Sequence, residues 1–368
     1  MKGAFGFMEN VRYFDHAATT ALDRNVLNEM MPYLSFEYGN ASSLYSLGIR
    51  AKEAISIARM KVASSLNCNS KEIYFTSGGS ESDNLAIKGI AFANRRRGNH
   101  IITSSIEHPA VLNTCKTLEN MGFKVTYLRV DSLGRINLQE LERAINRNTI
   151  LISIMFANNE VGTIQPIEQI GNIARKYNII FHTDAVQAIG NVKIDVRRLK
   201  IDSLSLSSHK FYGPKGVGAL YVREGIPFVR QNDGGHQERD KRAGTENTAG
   251  IVGTGKAIEM ATENLNEYTR NLKILSDFYL KEVTRRIPNV KINGDLANKV
   301  PGNNNVCFAG IDGNRLVMEL DRRGICASSG SACSAGLINP SHVLLAMGIN
   351  ENIARRKPKS KLWKRKYY

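Results

Sequence analysis

The stretch I-I-F-H-T-D-A-V-Q-A-I-G, residues 179 to 190, decides the fold class, because an apolar, β-branched run ends there in a single acidic residue. Its first five residues have the length and branching of a buried strand. Similar runs lie at 73 to 76, 101 to 104, 125 to 128, 150 to 156 and 204 to 207, and segments with helical spacing lie at 83 to 97, 109 to 121, 138 to 146 and 166 to 177. This alternation predicts an α/β fold, in which helices cover both faces of a mainly parallel sheet.

After Gly250 the pattern changes and predicts a second, smaller α+β domain. A long helical stretch at 257 to 287 precedes a short strand near 304 to 308, a helix near 314 to 323 and a Ser/Gly-rich loop. We therefore expect a large domain at residues 15 to 255 and a small domain made of residues 1 to 14 and 256 to 354. A basic tail at 355 to 368 completes this division.

The composition is that of a globular protein. The chain has 368 residues, of which 42% are hydrophobic and 23% are charged. No apolar run is long enough for a signal peptide or a membrane span, which predicts a cytoplasmic protein without membrane contact. The five cysteines are an odd number, widely scattered and without a C-x-x-C pair. We expect free thiols, with neither a disulfide framework nor a metal site.

The net charge of +16 raises the possibility of nucleic-acid binding, but half of the excess lies in the tail. Residues 355 to 368 contain eight basic and no acidic side chains, and they include the only tryptophan, Trp363. A basic tail attracts polyanions without a folded recognition surface. We expect nucleic acid to bind only nonspecifically, through this tail.

Lys210 is the first candidate for chemistry. In S-H-K-F-Y-G-P-K-G it follows an apolar run and precedes a glycine-rich turn into another strand. A lysine at a strand end facing a crevice can form a Schiff base with an aldehyde cofactor. Taken alone, a solvated surface lysine is the commoner interpretation. The neighbouring His209 shifts the balance toward a Schiff-base lysine, but it does not decide between the two interpretations.

Asp184 ends its apolar run at the edge where open α/β sheets bind ligands. A buried carboxylate needs a partner, which a protonated pyridine nitrogen would supply. In isolation, a helix cap for the segment that starts at Ala185 is the more common role.

Two further strand-to-helix junctions carry weaker signals. Ser77, Gly78, Gly79 and Ser80 precede a helical segment, whose first N–H groups and dipole suit a phosphate, although a capped turn has the same sequence. His108 in E-H-P-A-V stands at another junction, where a histidine is more often a cap or a core residue than a catalyst.

Together these junctions resemble the cysteine desulfurases, which are pyridoxal-phosphate enzymes of the class V aminotransferase group. The matching motifs are Y-F-D-H-A-A-T-T (13 to 20), S-G-G-S-E-S-D-N (77 to 84), E-H-P-A-V (107 to 111), N-N-E-V-G (158 to 162), D-A-V-Q-A-I-G (184 to 190), S-S-H-K-F-Y-G-P-K-G (207 to 216), R-A-G-T-E-N (242 to 247) and S-S-G-S-A-C-S (328 to 334). The resemblance implies a type I pyridoxal-phosphate-transferase fold with a mainly parallel seven-stranded sheet. The loop length up to P-S-H-V-L is similar to the subgroup that serves iron-sulfur cluster assembly.

The resemblance also implies roles for individual residues around pyridoxal 5'-phosphate. Lys210 would hold the cofactor as a Schiff base, Asp184 would pair with its pyridine nitrogen, and Gln187 would reach its ring hydroxyl. His108 would stack on the ring and help to move protons, and Asn159 would help to seat the substrate. The phosphate would be held by Gly79, Ser80, Ser207 and His209, joined by Thr245 from the other subunit of a homodimer.

Cys333 is the implied nucleophile. As a thiolate it would attack the sulfur of cofactor-bound L-cysteine, leaving alanine and a persulfide for a sulfur-acceptor protein such as an iron-sulfur scaffold. It is flanked by serine, glycine and alanine, so it has little core to enter, and a thiol on such a loop suits a nucleophile that must reach two sites. The other four cysteines, Cys68, Cys115, Cys307 and Cys326, lie in or beside apolar segments and are expected to be small core residues.

The C-terminal stretch departs from the family. After G-I-N-E-N-I-A-R the family pattern continues with a strand of the type S-L-R-V-S, whose arginine binds the substrate carboxylate, followed by roughly thirty more residues. This chain reads R-K-P-K-S-K-L-W-K-R-K-Y-Y instead. A single base shift in the gene would explain the change, and Lys359 could replace the arginine only as a point charge. We expect the tail to be mobile or loosely laid on the surface.

Cysteine desulfurase is the leading functional prediction, and three alternatives stay open. One is a catalytically impaired homologue that still binds pyridoxal phosphate, which the tail suggests. Selenocysteine lyase or another class V aminotransferase is disfavoured by the S-S-G-S-A-C-S loop. Nucleic-acid binding rests on charge alone.

Overall fold

The structure, a computed structural model, describes residues 11 to 329, residues 340 to 350 and the backbone of residues 359 to 361. The strands are β1 (Arg12–Tyr13), β2 (Ile73–Thr76), β3 (His100–Ser104), β4 (Lys124–Leu128), β5 (Thr149–Ser153), β6 (Ile180–Asp184), β7 (Ser203–Ser207), β8 (Gly218–Val222), β9 (Val290–Asn293), β10 (Asn303–Phe308), β11 (Ile325–Cys326) and β12 (Lys359–Lys361). The helices are α1 (Arg24–Ser35), α2 (Ser46–Leu66), α3 (Gly79–Ala93), α4 (Pro109–Asn120), α5 (Leu138–Ala144), α6 (Ile167–Lys176), α7 (Gln237–Asp240), α8 (Thr248–Glu263), α9 (Leu265–Arg286), α10 (Gly313–Asp321) and α11 (His342–Ala346).

Seven strands form the central sheet in the order β2-β8-β7-β6-β5-β3-β4. All neighbouring pairs are parallel except those of β8, which runs antiparallel to both β2 and β7. The predicted mainly parallel seven-stranded sheet is therefore confirmed. Parallel order brings the carboxyl ends of β6 and β7 to the same edge, which is where Asp184 and Ser207 lie.

Apolar side chains cover both faces of this sheet. Consecutive strand residues belong to different core clusters: Ile101, Leu151 and Ile180 pack in one cluster. Their neighbours Ile102, Ile152 and Phe181 pack in the other. Because successive strand residues point to opposite faces, each cluster fills one face beneath its helices. Within the described residues, no helix combines the length and the apolar character needed to cross a bilayer.

The C-terminal part has its own small sheet, in the order β12-β10-β9, and β1 pairs in parallel with β11. The helical stretch predicted at 257 to 287 is two helices rather than one, since α8 ends at Glu263 and α9 begins at Leu265. Asn264 between them leaves the helical region, with φ −96° and ψ 8°. The proposed boundary at residue 255 falls inside α8, and we keep the division into two domains as a proposal.

The tail differs from the expectation of a loose segment at three positions. Lys359–Lys361 form β12, which runs antiparallel to β10 with Lys359 opposite Asn305 and Lys361 opposite Asn303. The reason is that β10 offers backbone N–H and C=O groups along its edge, and strand pairing uses the backbone whatever the side chains are. The charge of the tail was therefore a poor guide to the backbone of these residues. The other residues of the basic tail lie outside the described part of the chain.

Candidate active site

An open cleft of about 840 Å³ lies at the carboxyl ends of the central strands. Nine of the eleven predicted site residues line it, namely Gly79, Ser80, His108, Asn159, Asp184, Gln187, Ser207, His209 and Lys210. Residues that the sequence analysis gave no role also line it, among them Asp15, Ala17, Ala18, Asp83, Met155 and Ser328. The candidates, spread over more than a hundred residues of sequence, thus form one site, as expected for the ligand-binding edge of an open α/β sheet.

Lys210 lies in a short turn that follows β7 directly, Ser208–Lys210. Its Nζ donates to the carbonyl oxygens of Ala17 at 2.5 Å and Ala18 at 2.7 Å. The Gln187 amide nitrogen also donates to the Ala17 carbonyl oxygen, at 3.0 Å. The D-H-A-A-T-T segment therefore crosses the cleft and holds two of the predicted residues through its backbone. A side-chain pattern cannot reveal this role, because the acceptors are main-chain carbonyls.

A turn suited to phosphate begins α3. Gly78 has φ +152°, a conformation that favours glycine. A Cβ at Gly79 would lie 2.8 Å from Val186 Cγ2 and 3.5 Å from the Ser207 Cβ. Gly79 therefore allows the helix N-terminus to approach the ends of β6 and β7 closely. The first N–H groups of a helix have no partner within the helix, so this close approach fits an anion such as a phosphate.

His209 enters the cleft as an uncharged ring. Burial, followed by the charges of Lys210 and Lys215, lowers its pKa to about 4. Its Nδ1 lies 3.0 Å from Thr19 Oγ1, which fixes the ring orientation. At neutral pH His209 can therefore hold an anionic group by hydrogen bonding, while the positive charge comes from Lys210.

His108 is both a helix cap and a wall of the cleft. It is the residue before α4, and its Nδ1 accepts a hydrogen bond from the Ala110 N–H at 3.1 Å. The helix-cap interpretation and the catalytic interpretation of His108 are therefore compatible. With Nδ1 used as an acceptor, the proton of the neutral ring lies on Nε2. The cap fixes the ring plane that faces the cleft.

Asp184 ends β6 and is buried. Its Oδ1 accepts from the Val186 N–H at 2.9 Å, so it also stabilises the turn that follows, as the capping interpretation required. Burial raises its pKa, and the Val186 hydrogen bond and the charge of Lys210 oppose that rise. A buried carboxylate of this kind lacks enough compensating charge, and a protonated pyridine nitrogen fits it.

Asn159 reaches the cleft from a tight loop between β5 and α6. Asn158 shapes this loop, since its Oδ1 accepts from the N–H groups of Glu160 and Val161 at 2.9 and 3.0 Å. The Asn303 side chain donates to the Asn159 carbonyl oxygen at 3.3 Å. Strand β10 of the small sheet therefore contacts the loop that is predicted to seat the substrate.

The other two predicted residues do not join the cleft within the described chain. Thr245 lines a separate cavity of about 500 Å³ with Arg242 and Ser77. Cys333 lies outside the described residues. Before its segment, Ser328 lines the cleft and donates to Asp15 Oδ1 at 2.8 Å. Beyond the segment, Ser341 donates to Glu160 Oε2 at 2.6 Å.

The four described cysteines are free thiols with limited exposure. Cys115 and Cys307 are buried, as expected, whereas Cys68 and Cys326 are partly exposed. Burial raises the pKa of both Cys68 and Cys115 to about 12. Neither thiol would supply a thiolate at neutral pH.

The sheet order and this cleft fit a pyridoxal-phosphate-dependent enzyme, because a strand-end lysine, a buried acid and a glycine turn at a helix N-terminus converge on one cavity. The comparisons with known proteins agree. The family described as Aminotransferase class-V matches residues 12 to 355. The chain is 53% identical to "Cysteine desulfurase IscS" of Clostridium botulinum, over 93% of this chain and 87% of the relative.

A second relative named "Cysteine desulfurase IscS", from Methanosarcina thermophila, is 55% identical over 93% of this chain and 84% of the relative. The solved structure described as "NIFS-LIKE PROTEIN" superposes with a TM-score of 0.91 at 40% identity, covering 96% of this chain and 94% of that one. The structure described as "SspA in complex with cysteine" does so with a TM-score of 0.85 at 42% identity, covering 95% and 98%. The chain belongs to the class V aminotransferase family, as a pyridoxal-phosphate-dependent cysteine desulfurase.

Proposed function

We propose that this chain converts L-cysteine to L-alanine and keeps the sulfur as a persulfide on Cys333, for iron-sulfur cluster or thio-cofactor synthesis. In this reaction the carbon-sulfur bond of the substrate breaks, a sulfur-sulfur bond forms at Cys333, and the substrate carbon takes up a proton. The observation that carries the proposal is the single cleft that collects nine predicted residues. The similar solved structure of SspA is a complex with cysteine, which supports the choice of substrate.

The cofactor supplies an electron sink for the carbon next to the substrate amine. Lys210 would carry it covalently, while Asp184 would pair with the ring nitrogen and Gln187 with the ring hydroxyl. His108 would stack on the ring and pass protons through Nε2, and Asn159 would hold the substrate. The anionic end would be held by Gly79, Ser80, Ser207 and His209.

A homodimer would complete this site through Thr245 of the second copy. Large apolar side chains between residues 27 and 60 support it, because Leu44 is 94%, Phe36 78% and Tyr38 71% exposed. An exposed apolar surface of this kind suits a protein interface. Thr245 lies away from the cleft of its own chain, which is consistent with a role across the interface.

The persulfide requires an acceptor and a reducing environment. Curated relatives bear the IscS name, which supports an iron-sulfur scaffold as the sulfur acceptor. We place the reaction in the cytoplasm, because Cys333 must remain a thiol between turnovers. Nucleic acid would bind only nonspecifically to the basic tail, and such binding would weaken steeply with salt.

A catalytically impaired pyridoxal-phosphate protein is the second candidate, and the strand β12 favours it. The sequence of this strand is K-S-K, at the place where the family pattern has an arginine strand. A lysine is a point charge and lacks the planar fork with which arginine binds a carboxylate. Substrate binding would then be weak, although the cofactor site is complete.

One spectrum and one assay test the proposal. The purified chain is expected to show visible absorbance from the lysine-bound cofactor, and to release alanine and sulfide when L-cysteine is added. Cofactor absorbance without alanine release would favour the impaired homologue. Release from selenocysteine but not from cysteine would indicate a selenocysteine lyase instead.

A further inference from the structure

Asp83 is a buried acid of the cleft to which the resemblance gives no role. It lies in the second turn of α3, four residues after Gly79, and only 1% of its surface is exposed. It lines the same cleft as Asp184. Its Oδ1 has no hydrogen-bond partner among the described residues. The nearest ring nitrogen, His182 Nε2, lies 3.7 Å from Oδ1, which is beyond hydrogen-bond distance.

His182 is not the cation that an ionised Asp83 would need. It lies two residues before Asp184 on β6 and is fully buried. Its Nδ1 lies 2.9 Å from Ser153 Oγ and its Nε2 lies 3.0 Å from Ser205 Oγ, so serine hydroxyls already satisfy both nitrogens. Burial lowers the pKa of His182 to about 3. The ring is therefore neutral at physiological pH.

The groups around Asp83 favour its neutral form more strongly than the groups around Asp184 favour that of Asp184. Burial raises the pKa of Asp83 well above its usual range, and the carboxylates of Asp184 and Glu107 raise it further. Among the groups around it, only the Ser205 hydroxyl opposes the rise. Burial also raises the pKa of Asp184, but the Val186 N–H that its Oδ1 accepts at 2.9 Å and the charge of Lys210 both stabilise its charged form. When two interacting acids share one charge, the charge stays on the acid whose surroundings stabilise the charged form.

We propose that Asp83 is a positioning residue, which remains a neutral carboxylic acid in the same cleft as Asp184 and thereby leaves the single negative charge of the pair on Asp184. The inference deepens the proposed function, on which it rests for the identity of the group that Asp184 faces. A neutral acid can hydrogen-bond with Ser205 and needs no counterion. It also avoids a second anion next to Asp184, which would compete for the same cationic partners.

The first test compares Asp83→Asn with the unaltered full chain, with and without cofactor, by thermal unfolding between pH 5 and pH 8. A buried acid with a raised pKa costs stability as the pH rises, because the unfolded chain ionises it and the folded chain does not. Asparagine keeps the shape and the neutral state. We expect the unfolding temperature of the variant to gain about 3 °C or more on that of the unaltered chain between pH 5 and pH 8. A difference between the two proteins that does not move in favour of the variant as the pH rises would overturn the proposal, since it would show that the folded chain ionises Asp83 as readily as the unfolded chain does.

His182→Gln is a second, independent variant that decides the question even if Asp83→Asn does not fold. With a neutral His182, the unfolded chain takes up a proton below about pH 6.5 that the folded chain does not, so we expect the deficit of the variant in unfolding temperature to be smaller at pH 5 than at pH 8. An imidazolium paired with Asp83 would instead stabilise the unaltered chain most at low pH. A deficit of the variant that is larger at pH 5 than at pH 8 would therefore overturn the proposal.

Cofactor affinity gives the third measurement, with Asp184→Asn as the matched control. We expect Asp83→Asn to bind pyridoxal phosphate within about threefold of the unaltered chain and Asp184→Asn to bind at least about tenfold more weakly. Equal losses in both variants would overturn the proposal, because both acids would then have to be charged. If the unaltered chain bound no pyridoxal phosphate, the proposed function would fail, and the two stability tests would still decide the state of Asp83.

Discussion

The floor of the cleft and its flank are built in different ways. The floor consists of the carboxyl ends of β6 and β7, with Asp184 and Lys210, and these strands are buried and paired on both sides. What we call the flank consists of Ser328, which lines the cleft, and of Ser341 and the edge strand β12, which are connected to the loop that carries Asn159 through Glu160 and through β10. The residues proposed to hold the cofactor ring in one orientation, Asp184 and Lys210, lie on the floor. The residue proposed to meet both substrate and acceptor, Cys333, belongs to the segment between Ser328 and Ser341, outside the described residues.

The largest effect is expected for Lys210→Ala on the floor. This variant would lose the covalently bound cofactor and more than about a thousandfold of its alanine release. Borohydride reduction followed by peptide mass spectrometry checks the site of attachment. Lys215→Ala is the matched control, because Lys215 belongs to the same motif and does not line the cleft. Cofactor fixed on Lys215 or on another lysine would contradict the assignment.

The next largest effect is expected for Cys333→Ala, which should separate cofactor binding from sulfur transfer. The floor is intact in this variant, so we expect the yellow cofactor and its spectral response to L-cysteine to persist. Alanine release should fall to below about 1%. The control is Cys326→Ala, since Cys326 is a partly exposed thiol seven residues away, with a pKa that burial raises. Undiminished alanine release by the Cys333 variant would exclude sulfur transfer through this residue.

The next effect concerns β12. Replacing residues 357 to 361 by S-L-R-V-S places an arginine at position 359, opposite Asn305. A bidentate contact to the substrate carboxylate is worth about 1.5 to 3 kcal/mol, hence roughly a ten- to hundredfold increase in kcat/KM for L-cysteine. The same replacement with glutamine at position 359 is the control. Equal activity before and after the replacement would show that Asn159 and the rest of the site suffice.

The contrast between the floor and the flank also explains which parts of the site could be predicted from the sequence. Asp184 and Lys210 follow buried β-branched runs, and such runs fix both the strand and the edge at which it ends. The glycine turn before α3 was visible for a similar reason, because it separates a strand pattern from a helix pattern. The floor therefore followed from periodicity together with the resemblance.

Other features left no signal in the sequence. The acceptors for Lys210 are the carbonyl oxygens of Ala17 and Ala18, and any residue carries such a group. Asp83 has the appearance of an ordinary acid near a helix start, and only the tertiary structure brings it into the same cleft as Asp184. Asn264 divides a stretch whose helical spacing continues on both sides. The pairing of β12 depends on the backbone of β10, so the charge of the tail could not predict it.

The smallest effect is expected for His209, on the floor of the cleft, and it tests how the floor binds an anion. His209 has a pKa lowered to about 4 by burial and by Lys210 and Lys215, so it is neutral from about pH 5 upward. We expect His209→Asn to weaken pyridoxal phosphate binding by about three- to tenfold, the value of one neutral hydrogen bond. Because the ring gains no charge between pH 8 and pH 6, this ratio should be the same at both values. Thr19→Val is the matched control, since it removes only the hydroxyl beside Nδ1 and should cost less. A ratio that grows as the pH falls to 6 would mean that His209 binds the phosphate as an imidazolium, and the floor would then hold its anion by charge rather than by buried neutral donors.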